Sequence, residues 1–347
     1  MKTWNGYQKG VNLGGWFSQC EYSKEHFDSF ITEKDFEVIA GWGADHVRLP
    51  IDYNLVEQER ADGSINYLEE GFDYISRAYE WARQNNLNMI IDLHKTAGYS
   101  FDAGEKQEGF FESETLQERF YCLWEELAKR FGNQGSSLAF ELLNEVTDKE
   151  YMETWKKISL TCIDRIRKIA PDADILLGGY WNNSVEAVAD LPTPPDSHII
   201  YNFHCYEPLI FTHQGAYWAE GMPVDYRMAF DQTVEEYFRL TREIQPNWIA
   251  PIQTAETLDG PMDSRFFEAL FAQAIATAGQ RDVALYCGEY GVINRATPED
   301  TLKWYQAIHS VFEKYGIGRA AWSYREMDFG LSDDHLKHTI AKLVPYL

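Results

Sequence analysis

Eight short apolar runs, each followed by a helical pattern or a long polar connection, constrain this chain more than any other feature of its sequence. They are KGVNLGG (9–15), DHVRLP (45–50), NMIIDLH (88–94), LAFELLNE (138–145), DILLGGY (174–180), HIIYNFH (198–204), VALYCGEY (283–290) and RAAWSY (319–324). Runs this apolar read as strands buried on both faces, as parallel strands are when helices cover them. Between them, TEKDFEVIAGWG (32–43) opens on a Thr32-x-x-Asp35 start signal, and LEEGFDYISRAYEWARQNN (68–86) carries apolar residues at helical spacing. The segments 114–131, 150–169, 263–280 and 299–315 repeat that spacing. Eight such units predict an α/β fold of the (β/α)8 TIM-barrel type. An open doubly wound sheet would place a G-x-G-x-x-G turn after its first strand, and GVNLGGWF has none.

A barrel of 347 residues is expected to form one domain, 1–347. One interval breaks the rhythm. Residues 206–260 separate the sixth run from the next clear helix, and loops longer than about 12–15 residues carry function or structure of their own. This one, with FTHQGAYW and MAFDQTVEEYFRL, is expected to be a small inserted subdomain bordering the cleft.

Charge narrows the partners. The net charge is −24, from 31 basic and 55 acidic side chains, a field that repels nucleic acid and anionic membrane. A neutral substrate fits better. Eleven Trp and twenty-one Tyr could fill a barrel core or act as stacking plates for sugars. The five cysteines are odd in number, widely spaced and free of any C-x-x-C, which argues against a disulfide framework and a zinc site. No metal or cofactor is expected. The opening MKTWNGYQKG lacks the apolar core of a leader, so the expectation is a cytoplasmic monomer, or a secreted one if a leader has been removed.

In barrels of this type the chemistry gathers at the C-terminal ends of the strands. Those ends carry Arg48, His94, Asn144-Glu145, His204 with Tyr206, Glu289 and Trp322. A carboxylate closing an apolar run is costly unless hydrogen bonds or charge partners hold it. Two of them, on the fourth and seventh strands, would face each other across the barrel mouth. Paired carboxylates are what glycosidic cleavage needs, one to protonate the leaving oxygen and one to meet the anomeric carbon. A retaining pair would stand about 5–5.5 Å apart.

The motifs GVNLGGW, DHVRLP, IDLH, FELLNE, YNFHCY, LYCGEYG and AAWSY resemble, in order, those of glycoside hydrolase family 5, over residues 10–330. The resemblance is to the bacterial endoglucanase C type, which also carries a subdomain after strand six. It implies Glu145 as acid/base, Glu289 as nucleophile, Asn144 as a contact to the sugar 2-hydroxyl, and Trp322 as platform under the sugar being cleaved. It further implies Arg48 and Tyr206 as holders of the nucleophile, and His94 and His204 as groups that orient sugar and acid. Two positions depart from the family pattern: Lys95 follows the strand-three His, and Val146 replaces a frequent Pro after Asn-Glu. The opening GVNLGGWF also resembles the fungal exo-β-1,3-glucanases of the same family, but those carry a Glu four residues after the Trp, where this sequence has Cys20, which argues against an exo-1,3 activity.

Bland readings stand beside these. Arg48 could simply pair with Asp92, Glu141 is best read as an interior carboxylate, and His94 and His204 with Asp92 could form a metal site. Trp16, Trp181, Trp218 and Phe211 are either cleft aromatics or packing, with Trp16 and Trp181 taken as substrate contacts. The function expected is a retaining β-glycanase, an endo-β-1,4-glucanase acting on cellulose-like or mixed-linkage β-glucan. Its rivals are a β-mannanase, an exo-acting β-glucanase or β-glucosidase, and a carbohydrate-binding barrel without catalysis. The last of these would keep the aromatics but has no need of both Glu145 and Glu289.

Overall fold

Side-chain parity along the strands decides what enters this barrel. The structure, a computed structural model, describes residues 1–347 except 103 and 106. Eight parallel strands close on themselves in chain order. They are β1 (Gly10–Asn12), β2 (His46–Asp52), β3 (Asn88–Lys95), β4 (Leu138–Glu141), β5 (Asp174–Leu177), β6 (Ile199–Cys205), β7 (Ala284–Tyr290) and β8 (Gly318–Ala321). Successive side chains alternate between the two faces of a strand. In β2, Val47, Leu49 and Ile51 therefore join the core between barrel and helices, while Arg48 enters the barrel. In β3, β4 and β6 the inward positions include Ile90, Ala139 and Ile200, which form a small interior cluster closed at its base by Trp4 stacked on Tyr7 at 3.8 Å. The inward positions nearer the mouth are polar: Asp92, His94, Glu141, Asn202 and His204.

Two strands break parity at the mouth. Phe203 pairs with Cys287 but His204 pairs with Glu289, so β7 carries one extra residue, Gly288. A Cβ there would come within 2.7 Å of the Asn202 side chain, so the bulge needs glycine. Likewise Ile51 pairs with Leu93 and Asp52 with Lys95, leaving His94 as the extra residue of β3.

The helices of more than six residues are α1 (Glu33–Gly41), α2 (Glu69–Gln84), α3 (Glu114–Phe131), α4 (Met152–Arg167), α5 (Val234–Ile244), α6 (Ser264–Arg281) and α7 (Pro298–Tyr315). Asp35 caps α1 by accepting from the Thr32 backbone N–H at 2.8 Å, as the start signal requires. Between β5 and β6 the chain makes only short turns and a 3-10 helix, Val185–Asp190. An antiparallel ribbon, Glu57–Glu59 with Ile65–Tyr67, follows β2. Segment 206–260 holds a helical turn (Leu209–Thr212), α5 and two 3-10 turns, packed around Phe230 and Tyr237. All five cysteines are free thiols. No helix among the described residues is long and apolar enough to cross a membrane.

Two strand ends fall short of the apolar runs that announced them. β4 stops at Glu141 and β8 at Ala321, so Asn144, Glu145 and Trp322 stand on the irregular chain beyond. That chain still leans on the barrel, with Asn144 N–H donating to Leu93 O at 3.1 Å and Trp322 N–H to Tyr290 O at 2.9 Å.

Candidate active site

Arg48 organises the floor. Fully buried, its guanidinium meets Glu141 at 2.7 Å, Glu289 at 2.8 Å and Asp92 at 3.0 Å. It also donates to Asn12 Oδ1 at 2.9 Å and Asn144 Oδ1 at 2.7 Å. One cation cannot balance three buried anions, and burial pushes Asp92 up to about 7 and Glu141 upward as well. The sequence reading offered Arg48 as either the nucleophile's holder or the partner of an interior acid. It makes both contacts at once.

Glu289 and Glu145 face each other above this floor. Glu289 accepts from Arg48 Nη1 at 2.8 Å and from the Tyr206 hydroxyl at 2.9 Å. Glu145 accepts from Asn182 Nδ2 at 2.9 Å, and its other oxygen lies 2.8 Å from His204 Nδ1. Burial raises Glu145 to about 7 and lowers His204 to about 4, so the imidazole is neutral at neutral pH. Glu145, His204 and Glu289 offer ligand atoms that all lie within 4.8 Å of one another. Among the described residues this is the trio with the spacing to grip a cation.

His94 lies 2.5 Å from Asp92 and is lowered to about 4 by burial. Its ring is parallel to Trp322 at 5.7 Å, and Phe101 meets it edge-on at 4.9 Å. Trp322 itself is pinned from behind by Gly14, where a Cβ would come within 2.7 Å of the indole. These groups border a cleft of about 1310 Å³. Trp181, Tyr217 and Trp218 stand on its rim, 42%, 68% and 44% exposed. Lys95 is buried beside the cleft, its ammonium 2.7 Å from Glu105 and 3.2 Å from Asp102, both of which line it.

A family model described as cellulase (glycosyl hydrolase family 5) matches residues 4–328. The chain belongs to glycoside hydrolase family 5. It is 48% identical to cellodextrinase A of Ruminococcus flavefaciens over 90% of this chain and 84% of that protein. It is 38% identical to endoglucanase C of Acetivibrio thermocellus over 98% of each. The structure of Thermotoga maritima Cel5A in complex with cellobiose has the same fold, with TM-score 0.76 and 21% identity over 99% of both chains.

Within this family-5 barrel two expected cleft aromatics lie elsewhere. Trp16 is fully buried, stacked on Phe17 at 4.0 Å, with its Nε1–H donating to Phe27 O at 2.9 Å. After β1 the chain turns outward, which carries that ring beneath α1 and α2 instead of over the mouth. Phe211 is likewise buried, packed against Phe230 at 5.3 Å in the core of the 206–260 segment. Three asparagines escaped the sequence reading. Asn12 and Asn202 knit the floor, Asn202 donating to Glu141 at 2.7 Å. Asn182 reaches Glu145 from a left-handed turn in which Trp181, Asn182 and Asn183 have φ of 52°, 55° and 58°. The tandem asparagine of WNN was the available signal, since Asn tolerates that region better than most residues.

Proposed function

We propose that this glycoside hydrolase cleaves β-1,4-linked glucan chains with retention of configuration, Glu145 serving as acid/base and Glu289 as nucleophile. The observation that carries the reading is the approach of the two carboxylates. Oxygens within 4.8 Å of each other suit a direct attack on the anomeric carbon, whereas an inverting pair stands about 6.5–9.5 Å apart to admit water. The likeness to relatives named endoglucanase and cellodextrinase supports glucan as the substrate.

In the first step a Glu289 oxygen forms a bond to C1 as the C1–O bond to the leaving sugar breaks. The Glu145 proton moves to the departing oxygen, and its pKa near 7 lets it carry that proton at neutral pH. In the second step water attacks C1, Glu145 takes the water's proton, and Glu289 is released. Trp322 supplies the face under the sugar being cleaved, and Asn144 lies within reach of its 2-hydroxyl. Segment 206–260 acts as an inserted wall whose Tyr217 and Trp218 meet sugars farther along the chain.

The test is the product profile on cellohexaose, mannohexaose and barley β-glucan, with the anomer followed by NMR. Internal cuts in cellohexaose with the β-anomer appearing first are expected. An α-anomer appearing first, or preference for mannohexaose, would overturn the reading.

A further inference from the structure

A second cavity, of about 450 Å³, opens on the same face of the barrel as the cleft. That volume lies within the usual range of small-molecule sites. Its walls come from the connections after β1 and β2 and the start of α2, all at the mouth end. Tyr22 belongs to both hollows and forms the ridge between them. The ridge is held: Tyr22 has φ of 51°, and its hydroxyl donates to Asp52. A non-glycine residue keeps that backbone conformation only where its surroundings impose it.

The lining selects a chemistry. Its charged groups already have partners: Lys24 is 2.5 Å from Asp28, Glu69 is 2.7 Å from Arg130, and Glu70 accepts from Tyr74 at 3.4 Å. What remains for a ligand is neutral, namely the rings of Tyr22 and Tyr67 and the amide of Asn54, since Asn66 Oδ1 already accepts from Arg60. A net charge of −24 disfavours an anion. Flat faces with amide donors and acceptors suit a neutral polyhydroxylated chain.

Direction follows from the acid. Glu145 and Asn182 stand beside Trp181, so the leaving half of the substrate lies on that side. The other half runs from Trp322 past His94 and Phe101 toward Gln19 and Tyr22, which line the same cleft. We infer that a glucan chain seated in the cleft crosses Tyr22 and places its distal non-reducing sugars in this second cavity, against Tyr67 and Asn54. The inference rests on the glucanase reading of the cleft.

The experiment compares wild type with Asn54→Ala and Tyr67→Ala on cellohexaose, cellotriose and an aryl β-cellobioside, with thermal unfolding as a check on folding. Asn54 is exposed, so its variant keeps the fold even if Tyr67→Ala does not. A stacked or hydrogen-bonded sugar lost at this distance should lower kcat/KM on cellohexaose about five- to tenfold through KM. The two short substrates, which end before Tyr22, should be untouched. Unchanged cellohexaose kinetics in Asn54→Ala, or equal losses on all three substrates, overturns the inference while leaving the glucanase reading intact. A wild type that cleaves none of the three overturns both.

Discussion

Glu289 and Glu145 are the same residue in two different solvents. The first sits against a guanidinium and a phenol; the second has only an amide and a neutral imidazole, with no cation in hydrogen-bonding contact among the described residues. Burial without a contacting cation lifts Glu145 to about 7. On the roles proposed above, proximity to Arg48, not residue type, divides the labour between two identical side chains.

The most severe way to break the comparison is to remove the member beside the cation. Glu289→Ala should lose about 10⁴–10⁶-fold in turnover, and intact-mass analysis with an activated aryl β-cellobioside should find no covalent adduct. An adduct on that variant would reverse the roles. Glu145→Ala should lose about 10²–10⁴-fold on glucan yet keep the first step on the aryl substrate, whose leaving group needs no proton. A burst with accumulated glycosyl-enzyme is then expected, because water lacks its base. Equal losses on both substrates would sink the assignment.

Removing the cation itself tests the floor. Arg48→Met leaves Asp92, Glu141 and Glu289 buried around an apolar stem, and unfolding in urea should show a loss of about 3–5 kcal/mol. An unchanged midpoint would mean that the acids are neutralised without it.

A gentler change sharpens the contrast. The proposed mechanism needs protonated Glu145, so kcat/KM should fall as pH rises through about 7. The Asn182 amide donates to the carboxylate and favours its anion, so Asn182→Ala should raise that pKa further and move the basic limb up by about one pH unit. A limb that stays in place, or moves down, contradicts this account of the acid. The smallest effect belongs to the rim: Trp218→Ala should shift chain-length preference about threefold, leaving aryl-cellobioside turnover alone. Product profiles identical to wild type would remove the inserted segment from the substrate path.

Much of the barrel was legible because parallel strands buried on both faces have to be apolar for their whole length, and a polar residue ending such a run stands out. Glu145, Glu289, Arg48 and His204 were visible for that reason. Asn12 and Asn202 were not, since a single amide inside an apolar run carries no periodic signal and its value depends on neighbours brought in from other strands. Trp16 failed from the opposite cause: an indole has the same composition whether it faces a sugar or a helix, and only the path of the chain after β1 decides. The ribbon 57–67 was missed because its strands, three residues each and largely polar, show no alternation long enough to detect.

The extra residue at Gly288 has a consequence for how this enzyme can vary. By strict alternation Glu289 would point at the helices and Tyr290 into the mouth; the added link exchanges them, and Tyr290 packs on Trp304 and Tyr305 instead. The address of Glu289, the proposed nucleophile, is thus written in the number of residues before it as much as in its identity. One further residue added after Gly288 in regular pairing would leave Arg48, Glu145 and Glu289 in the sequence and still send Glu289 to the wrong side of the wall, whereas losing the bulged glycine would keep its facing and remove only the bulge. At this spot the count of residues after the bulge fixes which way Glu289 faces, and the missing side chain at Gly288 leaves room for Asn202.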